Sequence, residues 1–450
     1  MANSEERIAF TDNRQLATDN LSMKHVRVGI VGFGTVGRAT ADIIAHHSAL
    51  IEKRSGVKLV VTAVCRRQPI KPEDAPKGAR ITTGWRELLD APDVDVIVET
   101  MGGVDHSLQL LRGALEHGKP VVTANKKLLA EHGDELFALA VARNLPIGFE
   151  ASVAGGIPIL RVIQESTAGD RLRGLHGILN GTSNYILTQM EARGIDFDEA
   201  LREAQQAGYA EADPTFDIDG QDARDKLCIL ARMAFGGRLD VNRIPTHGIR
   251  AIRAVDIRSA QRLDRTIRLV ASAEQTGSGL DVSVRPWMVD RRSMLAKVED
   301  VNNAVFVIGD RLGTQMFYGR GAGGDATGAA VVSDLVEIAR DLAAGRLSAK
   351  NVVGFLESRE LELASEPKPA GWYLRLTVND ERGIIARVAE TLSQGGMNID
   401  SVQQEPHSPK ERLSLFFTVE PVSEPTIRRA IEKIDTFEFM VEPVLLLRIE

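Results

Sequence analysis

Asp222 and Lys226 stand one helical turn apart at the end of Tyr209-Ala-Glu211-Ala-Asp213-Pro214-Thr-Phe-Asp217-Ile-Asp219-Gly220-Gln-Asp222-Ala-Arg-Asp-Lys226, a stretch dense in carboxylates just ahead of a predicted helix. At i and i+4 the two share one stripe with Ile229 and Met233, so a charged pair continues an apolar face. A solvated ion pair is the ordinary explanation of such spacing. Near the floor of a cleft there is another: a partly desolvated lysine held by Asp222 could give a proton to an oxygen that becomes alkoxide as hydride arrives. Lys126, in Asn125-Lys126-Lys127 just past a predicted strand, is a second candidate cation, because ligands of open α/β sheets sit at the carboxyl ends of strands. The alternative is an exposed basic loop. Asn180-Gly181-Thr182-Ser-Asn184 closes a strand and opens a helix, where capping and the binding of a substrate anion draw on the same N–H groups.

A cofactor is implied by Gly32-Phe33-Gly34-Thr35-Val36-Gly37, which follows the β-branched run 26–31 and opens a helical pattern over 39–45. In that context the glycines let backbone N–H groups and the helix N-terminus approach a pyrophosphate; alone, the motif could equally be a packing turn. After the second predicted strand, 58–64, a site specific for NAD usually places an acidic residue against the ribose. Here Arg66 and Arg67 stand instead. Two cations suit a 2′-phosphate, or else a solvated basic turn. NADP is therefore the expected cofactor, with NAD possible. His176 and His247 lack ligand spacing and read as structural.

The elements that must position these groups follow from periodicity. A third strand, 94–98, runs into Glu99-Thr100-Met-Gly102-Gly103, then a helix over 108–116 and a strand over 120–123. This alternation implies an α/β, Rossmann-type doubly wound parallel sheet over 25–150. Beyond Glu150 the rhythm changes to an α+β domain, 151–328, with a strand over 172–179 and a hairpin pairing 304–308 with 314–318. A helix over 329–342, in the segment 329–360, runs back to the first domain. Residues 361–370 read as a linker. Residues 371–450 then give strand, helix, strand, strand, helix, strand, the order of a ferredoxin-like fold.

Bulk properties narrow the partners. A chain of 450 residues exceeds what one core supports, and 43% hydrophobic with 26% charged residues is the balance of a globular enzyme. A net charge of −7 argues against nucleic acid and for a small-molecule substrate. No run approaches the ~18 apolar residues of a membrane span. Residues 1–24, with Glu5 and Glu6, read as a mobile polar tail, too short for an upstream catalytic domain and unlike a signal peptide. Two cysteines, Cys65 and Cys228, are too few for a disulfide framework, which fits the cytoplasm.

Together the motifs resemble homoserine dehydrogenase over nearly the whole chain after the tail. Gly32 to Gly37, Glu99-Thr100 with Gly102-Gly103, Thr123-Ala-Asn-Lys126, Glu150-Ala-Ser-Val-Ala-Gly-Gly-Ile-Pro158, Asn180 to Asn184, Gly208-Tyr-Ala-Glu211, Asp213-Pro214, Asp217, Gly220-Gln-Asp222, Lys226 and Gly321-Ala-Gly-Gly-Asp-Ala-Thr327 fall in the family's order. Gly328, where another small residue such as alanine is expected, is a mild departure. The resemblance implies reversible hydride transfer between L-aspartate 4-semialdehyde and L-homoserine, on the route to threonine and methionine. It makes Lys226 the proton donor and Lys126 a partner in proton relay or substrate placement. Glu211 would take the substrate ammonium, and Asp217 and Asp222 would orient Lys226 and the polar end of the substrate. Thr100, Gly102, Lys126, Gly321 and Gly323 would meet the cofactor. A monovalent cation, usually sodium, would be held by Glu150 and the carbonyls of Val153, Gly155 and Ile157. The second domain would carry dimerisation, giving a homodimer or homotetramer. Residues 371–450 resemble an ACT domain, whose first loop, Asn379-Asp380-Glu-Arg-Gly383, with Asn398, would bind an amino acid, here L-threonine as feedback effector; a purely dimerising module is the alternative. Two further readings are another Rossmann amino-acid or keto-acid dehydrogenase and a non-catalytic NADP and amino-acid sensor.

Overall fold

The computed structural model describes residues 24–350, 352, 359–404 and 410–450; the expected tail, except Lys24, lies outside them. The first β-branched run forms β1 (Lys24–Val31), with Val28, Ile30 and Val31 fully buried. It pairs in parallel with β2 (Val57–Cys65) on one side and β4 (Val96–Glu99) on the other. With β3 (Arg80–Thr82), β5 (Val121–Thr123) and β6 (Ile147–Gly148) the order is β3-β2-β1-β4-β5-β6, which reverses between β1 and β4 and opens a crevice at their carboxyl ends. Gly32 turns out of β1 at φ +101°, and a Cβ there would lie 2.3 Å from the carbonyl carbon of Thr100. Only glycine lets the two turns touch.

The returning helix, Gly324–Ala343, starts earlier than the apolar pattern suggests and packs on the helix Thr35–His46. Gly328 lies at the crossing, where a Cβ would stand 3.0 Å from the amide nitrogen of Thr40, so the family departure tightens that contact. The helix stops at Ala343 and does not reach 360; residues 351 and 353–358 lie outside the described ones.

The second sheet contains β7 (Leu172–Ile178), β8 (Arg265–Thr276), β9 (Gly279–Asp290), β10 (Asn302–Gly309) and β11 (Gly313–Arg320). The C-terminal unit adds β12 (Ala370–Val378), β13 (Ile399–Gln404), β14 (Leu413–Val422) and β15 (Met440–Ile449), ordered β15-β12-β14-β13 as in a ferredoxin-like fold. What the side-chain pattern does not reveal is that the two are one sheet, β11-β10-β7-β8-β9-β15-β12-β14-β13. β15 runs parallel to β9, with Arg448 opposite Trp287 and Ile449 opposite Met288.

The joint is buried and polar. Asp256, on the helix Ala254–Arg262, accepts from the Tyr373 hydroxyl at 2.9 Å and from the Arg375 guanidinium, both on β12. Arg375 also donates to the Ala251 carbonyl at 3.1 Å, and Glu442 of β15 pairs with Arg253 and Arg412. The stretch expected as a linker is tied down as well: Leu361 N–H donates to Arg238 and Ala364 N–H to Leu280, and β12 already begins at Ala370. No helix among the described residues is long and apolar enough to cross a membrane.

Candidate active site

The helix Gln221–Phe235 starts at Gly220, whose φ of +83° swings the chain into it, and its first turns carry Asp222 and Lys226 into the interior. Asn180 ends the loop after β7 and caps the helix Gly181–Arg193, its Oδ1 accepting the Ser183 N–H at 2.7 Å. Its Nδ2 donates to Asp217 at 2.7 Å and to Asp222 at 2.9 Å. Lys226 Nζ donates to Asp222 Oδ2 at 2.7 Å and to the Leu179 carbonyl at 2.8 Å. An ammonium has three N–H bonds, so these leave one for a ligand. Across the crevice Lys126 opens the helix Lys126–Arg143, and its Nζ lies 3.1 Å from Asp222 Oδ1. Each oxygen of one carboxylate therefore carries a lysine from a different domain.

The charges reinforce one another. Burial works against ionisation of Asp222, but Lys226, Lys126 and the bonds from Lys226 and Asn180 outweigh it and hold the carboxyl far below the usual range. The Asp222 charge in turn lifts the Lys126 ammonium above its ordinary value despite burial. Asp217 moves the other way, raised by burial and then by neighbouring Asp222.

The cofactor motifs surround this cluster. A cavity of about 420 Å³ is bordered by Val36, Thr100, Gly102, Lys126 and Phe216, and Lys126 Nζ stands 5.7 Å from the centre of the Phe216 ring. A second groove, about 680 Å³, runs past Phe33, Thr35, Arg38, Asp74 and Gly324. A Cβ on Gly34 would meet no protein atom within 4 Å, so the space above the turn is open. Arg66 is half-exposed and bonds Gln68 at 3.2 Å, while Arg67 is exposed.

Comparison with known proteins settles the family. Residues 158–336 match the family model described as homoserine dehydrogenase, 32–150 that described as homoserine dehydrogenase, NAD binding domain, and 372–439 that of the ACT domain. Homoserine dehydrogenase from Pseudomonas aeruginosa is 38% identical over 435 residues, covering 95% of this chain and 99% of that protein. The Bacillus subtilis homoserine dehydrogenase is 37% identical over 431 residues, covering 95% and 99%. The chain belongs to the homoserine dehydrogenase family. The crystal structure of a homoserine dehydrogenase from Thiobacillus denitrificans superposes with a TM-score of 0.87 at 35% identity, covering 95% of this chain and 99% of that one. A hyperthermophilic archaeal homoserine dehydrogenase in complex with NADPH gives a TM-score of 0.59 at 30% identity over 70% of this chain and 98% of that one.

The other predicted positions lie in several parts of the chain. Thr182 donates to the Tyr209 carbonyl at 2.8 Å, and Glu211 is exposed on the loop that follows. Gly321 packs against Asn303, Gly323 caps the returning helix at φ +113°, and Gly155 approaches Gly321 so closely that a Cβ would stand 2.6 Å from its carbonyl oxygen. Glu150 is buried, each carboxylate oxygen accepting one backbone N–H, from Leu160 and Arg161, at 2.9 Å. In the C-terminal unit Asn379, Asp380 and Gly383 line the exposed turn into the helix Ile384–Gln394, while Asn398 reaches across to Glu420 at 3.3 Å.

Three residues gain a place that sequence reasoning did not give them. Glu99, fully buried, accepts from the Met101 and Gly102 N–H groups and from the hydroxyls of Ser107 and Thr123. It fixes the turn that borders the smaller cavity. An acidic residue ending an apolar strand was the available signal. Phe216 walls the same cavity, and Arg38 lies over the Phe33 ring at 5.3 Å.

A carboxyl held below its unfolded value of ~3.9 contributes stability above that pH and loses it as pH falls toward the folded value. Asp222→Asn should therefore cost roughly 3–5 kcal/mol near neutral pH, since it breaks a buried ion cluster. Urea melts should show the gap to the parent narrowing below about pH 4; a gap independent of pH would mean that the carboxylate charge does not contribute.

Proposed function

We propose that the chain catalyses the reversible, NADP-dependent interconversion of L-aspartate 4-semialdehyde and L-homoserine, with Lys226 as proton donor. The observation that carries this reading is the meeting of Lys226 and Lys126 on the buried carboxylate of Asp222, beside the glycine turns of the cofactor crevice. The nicotinamide, when bound, supplies or accepts the hydride. Lys226 gives its remaining N–H proton to the aldehyde oxygen as the carbonyl π pair moves onto that oxygen, and takes it back in the oxidative direction. Asp222 holds the lysine aimed through their 2.7 Å contact. Lys126 adds fixed positive charge on the cofactor side and helps seat the oxygen. Exposed Glu211 is free to take the substrate ammonium, and Asn180, Gly181, Thr182 and Asp217 hold its polar end.

The open space over Gly34 and the uncapped helix behind it suit a pyrophosphate. Half-exposed Arg66 with Arg67 suits a 2′-phosphate, and the archaeal relative in complex with NADPH supports the same choice; NAD would be used less well. For the monovalent cation, sodium by resemblance, two of the four positions fit: Val153 and Gly155 are buried, and their carbonyl oxygens take no hydrogen bond among the described residues. With Glu150 and the Ile157 carbonyl, which also accepts the Ile159 N–H at 2.8 Å, they would hold it and stiffen the loop that touches Gly321.

Mixing protein, NADP+ and L-homoserine should raise absorbance at 340 nm. Lys226→Met should reduce that turnover by about 10²–10⁴-fold while NADPH titration stays within a few-fold. In Arg66→Ala, NADPH binding should weaken far more than NADH binding, because only the phosphorylated cofactor loses a charge-assisted contact. Near-normal turnover in the first variant, or equal losses in the second, would remove the respective role.

The C-terminal unit is proposed to bind L-threonine as a feedback effector. Asp380 would face the ammonium, and the helix that follows Gly383, which has no side-chain cap, would face the carboxylate, with Asn398 turning from Glu420. Calorimetric titration of the whole enzyme should give a heat with millimolar threonine and parallel inhibition; neither signal means the unit is structural. A homodimer or homotetramer is proposed, supported by exposed Met294, Leu312 and Tyr318 around β10 and β11, and sedimentation velocity would separate these from a monomer. Cys65 and Cys228, both free and buried, fit a cytoplasmic enzyme.

A further inference from the structure

The substrate loop is held from outside the active site. Residues 245–247 lie along the edge of β9: Val284 N–H donates to the Pro245 carbonyl at 2.9 Å and His247 N–H to the Val284 carbonyl at 2.8 Å. The chain then passes directly under the turn Thr215–Gly220. A Cβ on Gly248 would lie 2.2 Å from the Ile218 carbonyl oxygen, and the next residue, Ile249, donates its N–H to that same carbonyl at 2.8 Å. Arg250 closes the grip, its guanidinium donating to Asp219 at 2.5 Å and to the Thr215 hydroxyl at 3.0 Å. Asp217 sits inside this turn, and Gly220, at its end, sets where the Asp222 helix begins.

The other end of the same segment belongs to the C-terminal unit. Arg375 of β12 donates to the carbonyl of Ala251, the neighbour of Arg250, while its guanidinium pairs with Asp256. Asp256 in turn accepts the backbone N–H of Arg253 at 2.8 Å. A span of a few residues therefore has one end bonded to the substrate loop and the other to a strand of the regulatory sheet.

We propose that residues 245–253 form a strut through which the C-terminal unit positions the substrate loop, with Arg250, which grips the loop, and Arg375, which holds the adjoining Ala251 carbonyl, as positioning residues. This rests on the reading of Asp217 and Asp222 as the groups that seat homoserine and orient Lys226. The strut gives the C-terminal unit a role in every turnover, whether or not an effector is bound. Its position reaches the loop through bonds to backbone and charge, not through contact with the substrate.

Arg250 is largely exposed, so Arg250→Ala removes the grip without opening a core. The homoserine KM should rise roughly ten- to hundredfold with the NADP+ KM within about twofold, and Arg250→Lys, which keeps the charge toward Asp219, should recover part of the loss. Hydrogen exchange on the free enzyme should show faster exchange of the amides of 217–220 in Arg250→Ala. The same amides should exchange faster in Arg375→Lys, which retains a cation for Asp256 but loses the fork to Ala251. Unchanged homoserine kinetics in Arg250→Ala, or unchanged loop exchange in either variant, overturns the strut. If the parent enzyme leaves homoserine untouched, the proposed reaction fails, and exchange alone decides whether the strut exists.

Discussion

One buried carboxylate organises this enzyme. Asp222 is withdrawn from water, a state that costs several kcal/mol for a lone charge and persists only with close, well-aimed partners. Lys226 and Asn180 supply them from its own domain and Lys126 from the nucleotide-binding side. An ion pair therefore joins the two sides of the crevice before any ligand enters. In the proposed mechanism a substrate oxygen arriving at Lys226 would meet an ammonium that is already oriented and need not reorganise.

The accuracy of that cluster depends on backbone contacts around it. Gly32 allows the turn after β1 to touch the turn after β4, and Glu99 fixes the second of these with four donors. Asn125 then links Gly103 of that turn to the helix that carries Lys126, donating to the Gly103 carbonyl at 2.6 Å and capping the helix through Leu128. The turn after β4 and the helix that carries Lys126 are thus held in one hydrogen-bonded unit. On the other side Gly220 and the segment beneath it fix the start of the Asp222 helix.

Much of this was legible in the sequence, for identifiable reasons. The glycine motif, the i,i+4 pair Asp222 and Lys226, and the Asn180 cap are local, and local signals survive in a linear reading. In the C-terminal unit strand, helix, strand, strand, helix and strand follow in the order that periodicity puts them. Contacts between distant segments were not legible. For Lys126, a candidate cation whose alternative was an exposed loop, the sequence could not show its partner Asp222, which lies in another domain; Glu99 looked like the end of a strand because its donors are backbone groups of the next turn and hydroxyls on a helix and a neighbouring strand. The fusion of two sheets through β9 and β15 is a backbone pairing that leaves no mark on side-chain alternation. Arg250 and Arg375 escaped notice for the same reason: their partners are carbonyls and charges far along the chain.

In the proposed mechanism Lys126 seats the oxygen only as a member of the Asp222 charge cluster. The direct test is a double-mutant cycle on kcat with Lys126→Met and Asp222→Asn, each alone and combined. If the two share one charge cluster, the combined variant should lose little more than the worse single variant, because either change already dissolves the cluster. Losses that multiply would contradict the account and leave Lys126 as a separate contributor.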